Sequence, residues 1–114
     1  MRCPLTIYSA RFVQPGFAAT TRGPVIFVRP EYRNDRGLLE HERVHVRQWL
    51  RTLGMHSLLY ALSKDYRLGA EVEAYREQAR HYPDDRRPMF ARAIAEKYGL
   101  DISPDAALKR LQQS

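Results

Sequence analysis

Asn34-Asp35-Arg36-Gly37-Leu38-Leu39-Glu40-His41-Glu42-Arg43-Val44-His45 is the stretch on which the reading of this chain turns. Asn34 or Asp35 is an N-cap residue, and beyond it the apolar positions Leu38, Leu39, Val46, Trp49, Leu50 and Leu53 recur at helical spacing, which predicts a helix ending near Gly54. Within that helix His41 and His45 are four residues apart. They leave one face, so both imidazoles can reach a single metal ion. Glu42 projects about one residue's rotation away, where its carboxylate can meet a water on that metal without being a ligand itself. The pentapeptide therefore points to one zinc ion per chain, held by His41 and His45 with Glu42 beside it.

Upstream the sequence favours strands. Leu5-Thr6-Ile7-Tyr8, Arg11-Phe12-Val13 and above all Val25-Ile26-Phe27-Val28 are rich in β-branched and aromatic residues, with Pro15-Gly16 and Gly23-Pro24 as turn formers between them. Pro30 ends the last run or confines it to a sheet edge, because it supplies no N–H to a ladder. Downstream a short helix is expected over 57–63 and a longer one over about 66–81, stopped by Pro83 and Asp84-Asp85. Two more follow at about 87–98 and 104–113, the last opened by Ser103 as N-cap and Pro104 at the first helical position. The expected fold is α+β: a small antiparallel or mixed N-terminal sheet on the His41–His45 helix and a second ligand-bearing helix, with further helices behind. With 114 residues the chain suits one domain, a core over about 24–82 and a C-terminal helical extension over about 84–114.

Composition narrows the class. At 44% hydrophobic and 28% charged residues the chain reads as globular. It lacks an apolar run of bilayer length and a signal-like start, so the expectation is a soluble, cytoplasmic protein without membrane insertion. Cys3 is the only cysteine, which excludes an intrachain disulfide and a cysteine-based zinc finger. Any metal must be held by His and carboxylate. The net charge of +6 admits an acidic or nucleic-acid partner, yet the arginines (43, 47, 51, 76, 80, 86, 87) are dispersed as on solvated helix faces, so nucleic acid is possible but not favoured.

Catalytic zinc takes three protein ligands and leaves a fourth position open. The candidates for the third are His56, Asp65, Glu71, Glu73, Glu77 and His81. Glu71 is best placed, since a helix-loop-helix return across the 25 residues after His45 can lay its helix against the first. Glu73 points roughly 200° away from Glu71 on an ideal helix, so only one of the two can face the metal. Glu77 is expected to pair with Arg80 or Arg76, His81 to favour a helix C-terminus, and His56 to start a helix or face solvent. Trp49 and the tyrosines 60, 66, 82 and 98 suit core or rim positions.

The segment Glu71-Val72-Glu73-Ala74-Tyr75 resembles the E-x-x-A-D segment of gluzincin peptidases, such as the heat-shock membrane metalloproteases and CAAX proteases. The resemblance covers roughly residues 24–80 and lacks those families' transmembrane segments. It implies a minimal gluzincin-type zinc metallopeptidase with Glu71 as third ligand and Glu42 as general base. Tyr75 stands where the families carry Asp, so the orientation of a ligand must come from Tyr75 in another way or from another residue. The strand Val25–Val28 before the motif helix matches the edge that binds peptide substrate by strand addition in those families. Tyr75, Tyr66, His56 and Arg67 are candidates for the donor that stabilises the oxyanion. Two other expectations stand beside the peptidase: a zinc-stabilised, non-catalytic module binding protein or nucleic acid, and a metal-free helical interaction domain. Substrate, endo- or exopeptidase mode and oligomeric state are left open.

Overall fold

A computed structural model describes residues 5–113, so Cys3 lies outside the described residues. The fold is α+β, a three-stranded mixed sheet and five helices. The strands are β1 (Leu5–Tyr8), β2 (Ala19–Arg22) and β3 (Val25–Val28), in the order β1-β3-β2. β2 and β3 form an antiparallel hairpin through the two-residue turn Gly23-Pro24, in which Gly23 takes a φ of +57° that a side chain would strain. β1 runs parallel to β3, with Leu5 opposite Val25 and Tyr8 opposite Val28.

Two expectations for this region are corrected. Arg11-Phe12-Val13 is not a strand: the Val13 N–H bonds back to the Ala10 carbonyl in a turn, Phe12 packs on Phe27, and Arg29 holds the loop by donating to the carbonyls of Val13, Gln14 and Phe17. The strand in its place is Ala19-Thr20-Thr21-Arg22, whose β-branched pair suits a pleated surface. The second correction concerns Val25–Val28. As the central strand, β3 is paired on both sides, so its backbone cannot take an added substrate strand, while its Ile26 and Val28 point into the core.

The helices are α1 (Arg36–Arg51), α2 (His56–Leu62), α3 (Lys64–Ala79), α4 (Arg87–Lys97) and α5 (Pro104–Gln112). Asp35 caps α1, its carboxylate accepting the Leu38 N–H at 3.0 Å. Ser63 and Ser103 cap α3 and α5 in the same way, from the N–H groups of Tyr66 and Ala106. One apolar cluster joins α1 to the sheet through Ala19, Ile26, Val28 and Val46; a second joins α3 to α4 and α5 through Val72, Phe90, Ile94, Ala107 and Leu111. α1 thus lies between the sheet and α3. Its periodicity overshoots at the end: Leu50, in the last turn, is 45% exposed, and Leu53, beyond the helix end at Arg51, is 93% exposed. No helix among the described residues is long and apolar enough to cross a membrane.

One contact fixes how α1 enters the fold. Gly37 is buried under the Tyr82 ring, where an added Cβ would come within 2.6 Å of the ring carbon bearing the hydroxyl. That ring is not free to yield. Its hydroxyl donates to Asp35 at 2.5 Å and accepts from Gln78 at 3.0 Å, and the Arg86 guanidinium stacks 3.7 Å from its centroid. Gly37→Ala gains about 1 kcal/mol of helix propensity yet is expected to destabilise the chain by about 1–2 kcal/mol net in urea denaturation, as overpacking outweighs it. In a Tyr82→Ala background the same change should be neutral or stabilising, and an unchanged cost there would refute the explanation.

Candidate metal centre

His41, Glu42 and His45 are buried where α1 faces α3, and Glu71 is 2% exposed opposite them. The helix pairing that brings them together rests on small residues of α3, since Ala70 and Ala74 are buried against the neighbouring elements. His41 Nε2 lies 3.3 Å from Glu71 Oε1, and His45 Nε2 lies 3.3 Å from Glu71 Oε2. One donor atom from each of the three residues falls within 4.8 Å of the others. Glu73 points away, as the helical rotation requires, and pairs with Arg51 at 2.8 Å.

Each member of the cluster is held differently. His45 Nδ1 meets Gln48 Oε1 at 2.8 Å, and the Gln48 amide nitrogen donates to the Ala70 carbonyl and to Glu73, so the glutamine fixes the ring and ties α1 to α3. Glu71 Oε2 accepts the Tyr60 hydroxyl at 2.6 Å from α2. Among the described residues His41 has no such partner at Nδ1; its ring packs T-shaped with that of Tyr75, centroids 4.3 Å apart. Tyr75 therefore supports His41 through packing, and its hydroxyl shares a hydrogen bond with that of Tyr98 at 2.8 Å. Glu42 Oε1 accepts the Thr21 hydroxyl at 2.7 Å, which leaves Oε2 3.9 Å from His41 Nε2.

The charges are strongly coupled. Burial alone would lower the pKa of His45, but the Glu71 carboxylate outweighs it and raises it to about 9. Burial favours the neutral acid for Glu71, and the positive charge of His45 with the contacts from both imidazoles overrides it, holding the carboxyl well below its ordinary range. Burial, followed by the neighbouring Glu71 charge, pushes the Tyr60 hydroxyl far up, so it remains a donor.

The donor set fits a metal ion. Two imidazole nitrogens and a carboxylate converge, and among the described residues Glu71 Oε1 is buried without a hydrogen-bond donor although an imidazole nitrogen stands 3.3 Å away. A carboxylate oxygen left so in the interior is costly unless a cation takes it. These are borderline ligands of the kind zinc takes, and no fourth His, Cys, Asp or Glu joins them among the described residues.

The cluster forms part of the wall of a cleft of about 1000 Å³. β2 lines one side through Ala19, Thr20 and Thr21, and α4 lines the other through Met89, Ala93 and Lys97. Of the remaining sequence candidates, His56 and Arg67 also line it; His56 Nδ1 is engaged with the Tyr66 hydroxyl at 2.7 Å. Asp65 is exposed and apart. Glu77 pairs with Arg80 and His81 at the end of α3. Glu77 and His81 approach Glu40, yet the Glu40 carboxylate is already bound by Arg36 and Arg43, so that grouping is an ion-pair network and not a vacant donor set. Thr21, Gln48 and Tyr60 escaped sequence reading as site residues. For Gln48 a signal existed, since 41, 45 and 48 share one helical face; Thr21 and Tyr60 are placed by tertiary packing alone.

No family model, curated protein or solved structure matches this chain.

Proposed function

We propose that this chain is a small zincin-like peptidase of the gluzincin type, with His41, His45 and Glu71 as the ligands of one zinc ion and Glu42 as general base. The observation that carries the proposal is the buried convergence of those three donors with the Glu42 carboxylate at their side, opening on a cleft large enough for a peptide. Zinc at such a site supplies Lewis acidity, acidifying water and polarising a scissile carbonyl. The protein does the rest. Glu42, aimed by Thr21, takes the proton of the attacking water and returns it to the leaving amine. Gln48 and Tyr60 keep His45 and Glu71 in place. Tyr75 and His56, with ring centroids 4.3 Å from His41 and 5.8 Å from His45, are the candidates for the donor the oxyanion needs. The substrate backbone pairs with β2, whose outer edge is unpaired among the described residues and whose Ala19, Thr20 and Thr21 face the cleft.

The test is metal content and turnover together. One zinc per chain after equilibration, and cleavage of a broad peptide library that a chelator abolishes and zinc restores, are expected. One zinc per chain with no cleavage would favour the non-catalytic binding module; no stoichiometric zinc would leave only the metal-free interaction domain.

Metal binding should also depend on pH in a defined direction. His45 in the metal-free protein carries a proton that a metal must displace, with a pKa of about 9. Apparent zinc affinity should therefore climb about tenfold per pH unit from about pH 7 and flatten above about 9. A flat profile over that range, in isothermal titration with a competing chelator, would contradict the protonated pair.

A further inference from the structure

The cleft is cationic where the end of α4 meets the loop before β2. Apart from the histidines of the metal centre and His56, the basic residues lining the cleft are Arg67, Arg86 and Lys97. Arg86 is paired with Asp84. Arg67 and Lys97 have no carboxylate partner among the described residues: Arg67 donates to the Tyr98 carbonyl at 3.0 Å, and Lys97 to the Gly16 carbonyl at 2.9 Å. Neutral carbonyls leave the two positive charges uncompensated, and among the described residues Arg67 Nε is buried without an acceptor. The lining acids are committed elsewhere, Asp35 to the α1 cap and Tyr82, Glu42 and Glu71 to the metal-centre cluster.

The same residues join the two walls. Lys97 reaches from the end of α4 to Gly16 in the loop before β2 and sits 5.3 Å from the Phe17 ring, and Phe17 packs edge-on against Tyr98 at 5.9 Å. Gly16, Phe17, Lys97 and Tyr98 all line the cleft, so a peptide running along β2 meets this bridge instead of an exit. A chain pairing antiparallel with β2 directs its C-terminus toward Ala19 and onward to the bridge.

Resting on the peptidase reading, we propose that the substrates are peptides with a free C-terminal carboxylate, which Arg67 and Lys97 recognise at the bridged end of the cleft, so that cleavage releases short C-terminal fragments. The bridge stops the chain, and the charge selects the end that carries a negative group. A substrate entering in the opposite direction would bring an ammonium group against two cations.

The experiment compares the zinc-loaded chain on three peptide sets: free C-terminal acids, the same peptides as C-terminal amides, and amides containing internal Glu. Products are identified by mass spectrometry. Free acids should be cut at least tenfold better, close to their C-termini. Lys97→Gln, an exposed change that keeps a donor for the Gly16 carbonyl, should raise KM for the acids about tenfold with kcat little changed, and leave the amides unaffected. Lys97→Arg should restore the preference. Equal cleavage of acids and amides would overturn the inference while leaving the peptidase intact; Glu-containing amides cut as well as acids would assign the site to a side-chain carboxylate and overturn it too. Should no peptide be cut, the peptidase reading fails. Fluorescence titration of Glu42→Gln protein then decides the cationic end alone, tighter binding of acid than amide supporting it and equal binding ending it.

Discussion

Glu42→Gln is expected to lower kcat by about 10³-fold or more while zinc content and thermal stability stay near those of the unaltered chain. The separation of these effects follows from where the two carboxylate oxygens go. Oε1 is used structurally, as acceptor for the Thr21 hydroxyl, and a glutamine carbonyl oxygen can accept the same bond. Oε2 has no donor at bonding distance among the described residues and lies 3.9 Å from His41 Nε2, beside the donor cluster. An amide there can neither take a proton from water nor deliver one to an amine. KM should change little, because the residue is not called on to hold the substrate. Glu42→Gln with near-normal turnover would remove Glu42 from the chemistry and with it the peptidase mechanism. Loss of zinc in this variant would move Glu42 into the ligand set, against the geometry that gives that place to Glu71.

Thr21→Val offers a finer comparison at the same carboxylate. It deletes the hydroxyl that aims Glu42 and keeps the shape and β-branching that β2 needs. A loss of kcat of about tenfold, intermediate between the unaltered chain and Glu42→Gln, is the expected result of an intact but poorly aimed base. No change in kcat would show that the Thr21 bond is incidental to catalysis.

What sequence could foretell here was whatever is fixed by spacing along one helix. His41, Glu42 and His45 have their mutual geometry from helical periodicity, and Glu71 and Glu73 are separated by the same rule, so that one faces inward and the other pairs with Arg51. The helix starts at Asp35 and Ser103 were equally legible, because a cap is a local contact between neighbours. Sheet order is not local. Nothing in Val25-Ile26-Phe27-Val28 announces that β1 lies parallel along one side of it and β2 along the other, and a hydrophobic strand suits the centre of a sheet at least as well as its edge. A run such as Val25–Val28 therefore reads as an edge as readily as a centre, and Thr20-Thr21 signals a strand more weakly than the more aromatic Arg11-Phe12-Val13. The polar supports follow the same logic. Gln48 shares the face of His41 and His45 and could be anticipated, whereas Tyr60 reaches Glu71 only because α2 folds back over the site.

Glu71→Gln should cost zinc affinity by about 10²-fold or more and should destabilise the metal-free protein only at lower pH. The first effect is the loss of one anionic ligand out of three. Glu73→Gln, two residues away on the outer face, should leave zinc binding unchanged, so the pair tests the assignment of the ligand and not merely the presence of a carboxylate on α3. The second effect follows from the coupling of His45 to Glu71. The pKa of His45 is raised from 6.5 to about 9, so its pairing with Glu71 stabilises the fold fully below pH 6.5 and is lost as pH rises through about 9. Glu71, whose pKa is depressed from 4.5, contributes fully above pH 4.5 and loses its share as acid protonates it. The metal-free protein thus gains most from this one interaction between about pH 4.5 and 6.5, on the order of 3 kcal/mol. In that window Glu71→Gln should lose roughly that amount, the amide still accepting the Tyr60 hydroxyl but no longer balancing an imidazolium. Above about pH 9 His45 is neutral in both proteins, and their urea midpoints with chelator present should converge. A difference that is the same at pH 6 and pH 9.5 would mean that Glu71 is held by packing and hydrogen bonds alone. Zinc bound equally well by Glu71→Gln and the unaltered chain would take away the third ligand on which the whole assignment depends.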